Sequence, residues 1–219
     1  MSEKIPKVKK TLYTTVFKRF FDIALSGIAI LFLSPLFIVI SLLELVFHGY
    51  PILFSQERPG LHGEIFKLWK FRSMTNAKDK TGKLLPSEQR LTPFGKFIRR
   101  FSLDELPELF CILTGKMSII GPRPLLKQYL PLYSKRHRMR HEVRPGFACV
   151  PLKPMKTWSW NDQFENDIWY VENCSLIVDI KMIFAVLREA IAGSEYRAND
   201  TRTEFTGDNL YSDAKNINQ

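Results

Sequence analysis

The sequence predicts an α+β fold: a re-entrant membrane helix hairpin carrying interfacial amphipathic helices and a small β-element. Three observations predict it. An apolar run from Phe20 to Phe47 is interrupted at its middle by Ser34-Pro35 and flanked on both sides by basic residues. Two short apolar stretches, Ile52-Leu53-Phe54 and Ile65-Phe66-Lys67-Leu68, bracket the turn-rich Arg58-Pro59-Gly60-Leu61-His62-Gly63, which is a hairpin pattern. From Leu91 to Phe101, Phe94, Phe97, Ile98 and Phe101 are interleaved with Lys96, Arg99 and Arg100. At helical spacing that sets an apolar stripe beside a basic one, as in an interfacial helix; the same pattern suits a core-facing helix with a solvated basic side.

In chain order, residues 1–16 form a basic lead-in and residues 17–47 the re-entrant membrane helix. Lys4, Lys7, Lys9, Lys10, Lys18 and Arg19 precede the apolar run, and Arg58, Lys67, Lys70 and Arg72 follow it. Positive charge marks the cytoplasmic side, so a single span would export one of these groups, whereas a helix that enters, bends and returns exports neither. A straight helix over the run would extend roughly 42 Å against a hydrocarbon core of about 30 Å, so a kinked single-pass anchor also fits by length. Pro35 removes a backbone hydrogen bond and kinks a helix, and the Ser34 hydroxyl can satisfy a freed carbonyl where no water is available. The run is too long, and lacks the small-residue site, for a cleaved signal peptide.

Residues 48–192 are expected to form a cytoplasm-facing catalytic domain, with helices at Leu91–Phe101, Ser102–Leu113, Leu126–Met139, Asp162–Tyr170 and Ser175–Ile191. Residues 151–160, with Trp158 and Trp160, suit a membrane-rim loop. Residues 193–219 form a polar, mobile tail.

The formal charge of +10 calls for an anionic surface or partner. Membrane lipid supplies one; nucleic acid would also, but no recognition motif for it is present and none is expected as a partner. The odd, widely spaced Cys111, Cys149 and Cys174 match no metal spacing and fit reduced thiols. The four histidines form no zinc signature and are read as surface or interfacial.

Ser102-Leu103-Asp104-Glu105-Leu106-Pro107 is the segment where chemistry is expected. Ser102 with Glu105 three residues on is also a capping box, and Asp104 favours a helix N-terminus. Yet adjacent carboxylates beside Arg99 and Arg100, ahead of Gly121-Pro122-Arg123-Pro124, suit phosphate chemistry with a divalent ion. Magnesium takes carboxylate and phosphate oxygens, arginine forks onto phosphate, and aspartate can attack phosphorus.

Several ordered stretches carry a resemblance: Lys18-Arg19-Phe20-Phe21-Asp22, Ser34-Pro35, Gln56-Glu57-Arg58-Pro59-Gly60, Lys70-Phe71-Arg72-Ser73-Met74, the Asp104-Glu105 segment, Gly115 through Pro124, Arg144-Pro145-Gly146 and Asp167-Ile168-Trp169-Tyr170. Over roughly residues 17–190 the chain resembles the monotopic polyprenyl-phosphate phosphoglycosyl transferases, bacterial sugar transferases, in their small single-domain form. The resemblance implies transfer of a phosphosugar from a UDP-sugar, an N-acetylated amino sugar, to polyprenyl (undecaprenyl) phosphate, releasing UMP and starting glycan assembly. Asp104 would be the nucleophile, through an aspartyl-phosphosugar, and a ligand of Mg2+. Glu105 would act as a base or in metal and proton positioning. Lys70, Arg72, Arg99, Arg123 and Arg144 would bind substrate phosphate, and Ser34 and Pro35 would form the re-entrant kink. The place implied is the cytoplasmic face of a bacterial inner membrane, with downstream glycosyltransferases as possible partners.

The sequence departs from the family's pattern at Glu108 and Cys111, beside the dyad, and at Phe147 through Met155, a segment expected to touch nucleotide or sugar. These departures leave open a second reading, a non-catalytic basic membrane-bound module of a glycan assembly system.

Overall fold

The computed structural model describes residues 8–149, 159–192 and 204–210. One long apolar helix, α1 (Lys18–Phe47), entered through a π-helical turn at Tyr13–Phe17, leads into a mixed domain of short helices and two two-stranded sheets. Leu31 and Phe32, at the middle of α1, are 72% and 79% exposed, which water does not favour for side chains of this size. By length and composition α1 could cross a membrane. Pro35 sits inside it and so gives no hydrogen bond to the Leu31 carbonyl; the Ser34 hydroxyl donates to that carbonyl instead, at 2.8 Å.

The polar residues of α1 face the domain. Asp22 is buried and accepts from the Ser118 hydroxyl at 3.0 Å and the Ile119 amide at 2.9 Å. Arg19 donates to the Ile112 and Leu113 carbonyls, the C-terminal groups of α4 (Glu108–Leu113), where a cation is favoured. Lys18 reaches the Ile120 carbonyl and Asp179. At the other end, Glu44 and His48 are fully buried side chains 2.8 Å apart, and His48 continues to Thr92 at 2.8 Å.

Strands β1 (Leu53–Pro59) and β2 (Ile65–Phe71) pair antiparallel, Leu53 opposite Phe71 and Pro59 opposite Ile65. Both outrun the predicted stretches, because Ser55 through Arg58 pair despite their polarity. His62 holds φ 54° in the connection. After α2 (Ser87–Arg90), Thr92 caps α3 (Pro93–Arg100), accepting from Gly95 N at 2.9 Å. This helix answers to both expected patterns: Ile98 is wholly buried against Ile40 and Phe71, while Phe97 and Phe101 stay more than half exposed.

The expected helix over Ser102–Leu113 is instead a 3-10 turn, Leu103–Glu105, followed by α4 with Pro107 at its N-cap. Ser102 lies in the left-handed region at φ 54° and makes no capping hydrogen bond, so the capping-box reading fails. Leu126–Met139 also breaks up, into 3-10 turns at Lys127–Leu132 and Met139–Glu142 around α5 (Lys135–Arg138); Pro131 removes a helical donor.

A second sheet was not anticipated. β3 (Ser118–Ile120) pairs parallel with β4 (Gly146–Ala148), three-residue strands too short for a periodic signal. Their approach requires glycine, since a Cβ on Gly146 would lie 2.0 Å from the Gly121 nitrogen. Helices α6 (Trp160–Asn173) and α7 (Leu176–Ala192) close the domain.

The membrane-rim loop reading falls largely outside the described residues, but Trp160 is buried at the start of α6 in an aromatic cluster with Tyr129, Tyr133 and Phe164. Phe205, from the segment expected as a mobile tail, packs into the same cluster at 3% exposure. His48, His137 and His141 are likewise buried rather than superficial, each satisfied in part by local polar groups. The three cysteines are free, as expected.

Candidate active site

A cleft of about 940 Å³ opens between the β1–β2 hairpin, α2, α3, the 103–105 turn and α6. Each wall delivers side chains by its local geometry. Strand β2 and the residues after it bring Lys70, Arg72 and Ser73; α3 brings Arg99; the turn brings Asp104 and Glu105; the rigid turn after β3 brings Arg123. The tight 3-10 turn points both dyad carboxylates inward, each only 9% exposed.

The two carboxylates differ in environment. Glu105 Oε1 receives Lys70 Nζ at 2.7 Å and the Arg123 guanidinium. Burial pushes the Glu105 carboxyl up, but the charges and hydrogen bonds of Arg123 and Lys70 outweigh it and bring it down to about 2. Asp104 moves the other way. Burial, and then the charge of Glu105, raise it above the usual carboxylate range, only partly opposed by Lys70 and Arg99. Two neighbouring acids driven apart in this way, inside a cleft, make this turn a candidate functional site. Glu108, one of the departures, joins them: Lys70 Nζ lies 3.1 Å from its Oε1, though not aimed for a hydrogen bond. Burial and the Glu105 charge raise the Glu108 carboxyl.

Of the predicted phosphate ligands, Lys70, Arg72, Arg99 and Arg123 all line the cleft, with both dyad residues. Arg99 donates to the Ser73 hydroxyl at 2.7 Å. Arg72 lines the wall but spends hydrogen bonds on the Pro51 carbonyl, at 2.9 Å, and Gly49, fixing the chain that leaves α1. Arg144 is not among the lining residues; it donates to the Gly115 carbonyl at 2.9 Å, near Arg19. Ser34 and Pro35 sit on α1, away from the cleft.

Sequence reasoning missed five residues. Arg58 and Arg90 line the cleft, and the buried Nε of each lacks a hydrogen-bond partner. Arg58 stood in the Gln56-Glu57-Arg58-Pro59-Gly60 stretch, so a signal existed; Arg90 ends a polar segment with none. Arg140 and Asp167 form a fully buried pair at 2.7 Å, and Arg140 also donates to the Arg123 carbonyl at 2.8 Å, holding the turn that presents Arg123. Gln163 donates to Asp167 at 2.9 Å and borders the cleft.

The donor set fits a magnesium ion only in part. Among the described residues no cluster of three or more His, Cys, Asp or Glu side chains could hold a metal, and Glu105 is already neutralised by two cations. Glu108 lies beside Lys70 and does not line the cleft, which leaves Asp104 as the one cleft carboxylate without a cation partner, the kind of site in which Mg2+ depends on substrate phosphates for its remaining oxygens.

Residues 13–193 match the family described as bacterial sugar transferase. The chain belongs to that family. This sugar transferase is 45% identical over 162 residues to an uncharacterized sugar transferase, EpsL, of Bacillus subtilis, covering 73% of this chain and 80% of that one. It is 36% identical over 183 residues to a UDP-glucose:undecaprenyl-phosphate glucose-1-phosphate transferase of Klebsiella pneumoniae, covering 77% of this chain and 39% of that one. It is 32% identical over 185 residues to a UDP-N-acetylgalactosamine-undecaprenyl-phosphate N-acetylgalactosaminephosphotransferase of Aeromonas hydrophila, covering 80% of this chain and 44% of that one. The chain thus spans less than half the length of these two larger relatives. Its family membership, alongside relatives named as sugar-phosphate transferases on undecaprenyl phosphate, makes it a phosphoglycosyl transferase.

Proposed function

We propose that this sugar transferase moves a sugar phosphate from a UDP-sugar to undecaprenyl phosphate, releasing UMP, with Asp104 as the attacking group. The observation that carries this is the pairing of a buried, raised Asp104 with an ionised Glu105 inside a cleft rich in arginine and lysine. An Asp104 carboxylate oxygen forms a bond to the β-phosphorus of the donor. The bond from that phosphorus to the bridging oxygen breaks, and UMP departs with the electron pair. An oxygen of the acceptor phosphate then attacks the same phosphorus, freeing Asp104 and leaving a polyprenyl-diphosphate sugar.

Desolvation makes the Asp104 anion costly, and so reactive, while Lys70 and Arg99 moderate that cost. Arg58, Arg90 and Arg123 oppose the phosphate charge in an enclosed site. Glu105, held at about 2, is too weak a base to accept a proton near neutrality. Its part is to orient Lys70 and Arg123. Magnesium would be held by Asp104 with the donor's phosphates and would neutralise diphosphate charge.

A bend in α1 is supported by Pro35 at its middle, whose missing amide leaves the Leu31 carbonyl to the Ser34 hydroxyl. On either side of it, Arg19 bonds the C-terminal carbonyls of α4 and the Phe37 ring lies 5.6 Å from Phe110 on the same helix. Arms that fold back towards one domain suit a helix that enters and leaves the membrane on one face, which we place on the cytoplasmic side of the inner membrane. Exposed Ile177, Phe184 and Leu187 on α7, with Phe97 on α3 and Phe101 at its C-terminal end, would rest among lipid headgroups.

For the donor we propose an N-acetylated amino sugar, as in the name of the Aeromonas relative; UDP-glucose, as in the Klebsiella name, is the second reading. The test is UMP release by purified protein with undecaprenyl phosphate, Mg2+ and a panel of UDP-sugars, beside Asp104→Asn. Release that needs both lipid phosphate and Asp104 is expected. Equal release by wild type and Asp104→Asn, or none from folded wild type on any donor, would refute the assignment and favour a non-catalytic membrane module.

A further inference from the structure

A second cavity, of about 300 Å³ and almost wholly apolar, lies beside the cleft. Phe37 and Ser41 of α1 form one wall; Trp69 and Phe71 of β2, with Pro107 and Phe110 around the start of α4, form the other. The Phe37 ring packs 5.9 Å from Phe71 and edge-on to Phe110. Trp69 and Phe110 are nevertheless 40% and 46% exposed, an opening that water does not favour.

Two features of its position identify the occupant. Phe71 lines both this groove and the catalytic cleft, and Pro107 follows the dyad by two residues, so the groove leads out of the cleft. Its outer wall is α1, the one helix in the described residues apolar enough for a membrane, so the groove ends in lipid. A molecule lying along it needs an anionic head for the Lys70, Arg99 and Arg123 end and an apolar chain for the aromatic end. A soluble nucleotide sugar has no such chain.

We propose that this groove binds the phosphate-proximal isoprene units of the lipid acceptor, aligning its phosphate with Asp104. The assignment rests on the function proposed above. It gives the unsaturation of the acceptor's phosphate-proximal units a physical reader: the flat faces of Trp69 and Phe110 offer dispersion contact to planar alkene units. Ser41, the one polar wall residue, leaves room that a larger side chain would fill.

The experiment uses the full-length, detergent-solubilised protein and three readouts. Ser41→Phe, which fills the groove, and Trp69→Ala, which strips one wall, should each raise KM for undecaprenyl phosphate about tenfold, the equivalent of roughly two lost methylene contacts. The UMP released per protein from donor alone, before acceptor is added, should not change. A prenyl phosphate bearing a photoreactive diazirine near the phosphate should label the peptides containing Trp69 or Phe110, in competition with undecaprenyl phosphate. Unchanged acceptor KM in both variants, or labelling that maps elsewhere, overturns the proposal. Labelling displaced by phosphatidylglycerol but not by undecaprenyl phosphate makes the groove a phospholipid site and also overturns it. If wild type releases no UMP yet competed labelling maps to the groove, the transferase reading fails and the acceptor site stands.

Discussion

Glu105→Gln offers a quantitative test of how the dyad is held. Folding lowers the Glu105 carboxyl from 4.5 to about 2, which corresponds to about 3 kcal/mol of preference for the ionised form in the folded state. Lys70, whose side chain is 22% exposed, supplies the better shielded half of that field. Arg123 is 47% exposed, so water screens its share, and about 2 kcal/mol is the expected loss near neutrality. For a chain of this size that is a fall of roughly 4–8 °C in Tm, read by thermal unfolding in detergent. Because the folded value lies below the unfolded one, the stabilisation is fully present above pH ~5 and drains away as pH falls towards about 2. The gap between wild type and variant should close over that window. A variant as stable as wild type at neutral pH, or a gap of constant size down to about pH 3, would refute the reasoning. In activity, the variant should lose more in kcat than in KM for the donor, since Lys70 and Arg123 stay present but lose their alignment.

The other predictions concern different parts of the molecule. Asp104→Asn should abolish UMP release yet leave Tm equal or higher, because burial disfavours its charge in the folded state; a clear drop in Tm would contradict this. For the same reason the acid limb of the kcat/KM profile should lie above the ordinary aspartate value of about 3.9, with activity rising as Asp104 ionises, and a limb at or below that value would sink the assignment. Gly95→Ala places a Cβ 1.9 Å from the Ser73 carbonyl oxygen, so α3 must shift; we expect ~2 kcal/mol of destabilisation and a loosened Arg99–Ser73 contact, seen as a higher donor KM. Asp167→Asn leaves Arg140 buried without its counter-charge and should cost about 3–5 kcal/mol, measured by urea unfolding. Replacing Ser34 and Pro35 with Leu should straighten α1 into a span, and a cysteine-accessibility map with the amino terminus still cytoplasmic would refute that.

The sequence by itself determined what local chemistry and short-range pattern can carry. The apolar length of α1, its Ser34–Pro35 break, the β1–β2 hairpin and the adjacency of Asp104 and Glu105 are all written within a few residues of one another. Lys70, Arg99 and Arg123 were also legible, because they stand in recognisable stretches, and the structure brings all three to the dyad. Features that depend on meetings between distant segments were decided only by the tertiary structure. The β3–β4 pairing joins residues nearly thirty apart through backbone contact that only glycine permits. The same residue types took different parts once folded: Arg123 reaches Glu105, whereas Arg144 turns to the Gly115 carbonyl. Glu105 looked like a helix cap until Lys70, thirty-five residues earlier, claimed its carboxylate. A buried charge goes to the partner that best offsets its desolvation, and that partner is set by packing in three dimensions.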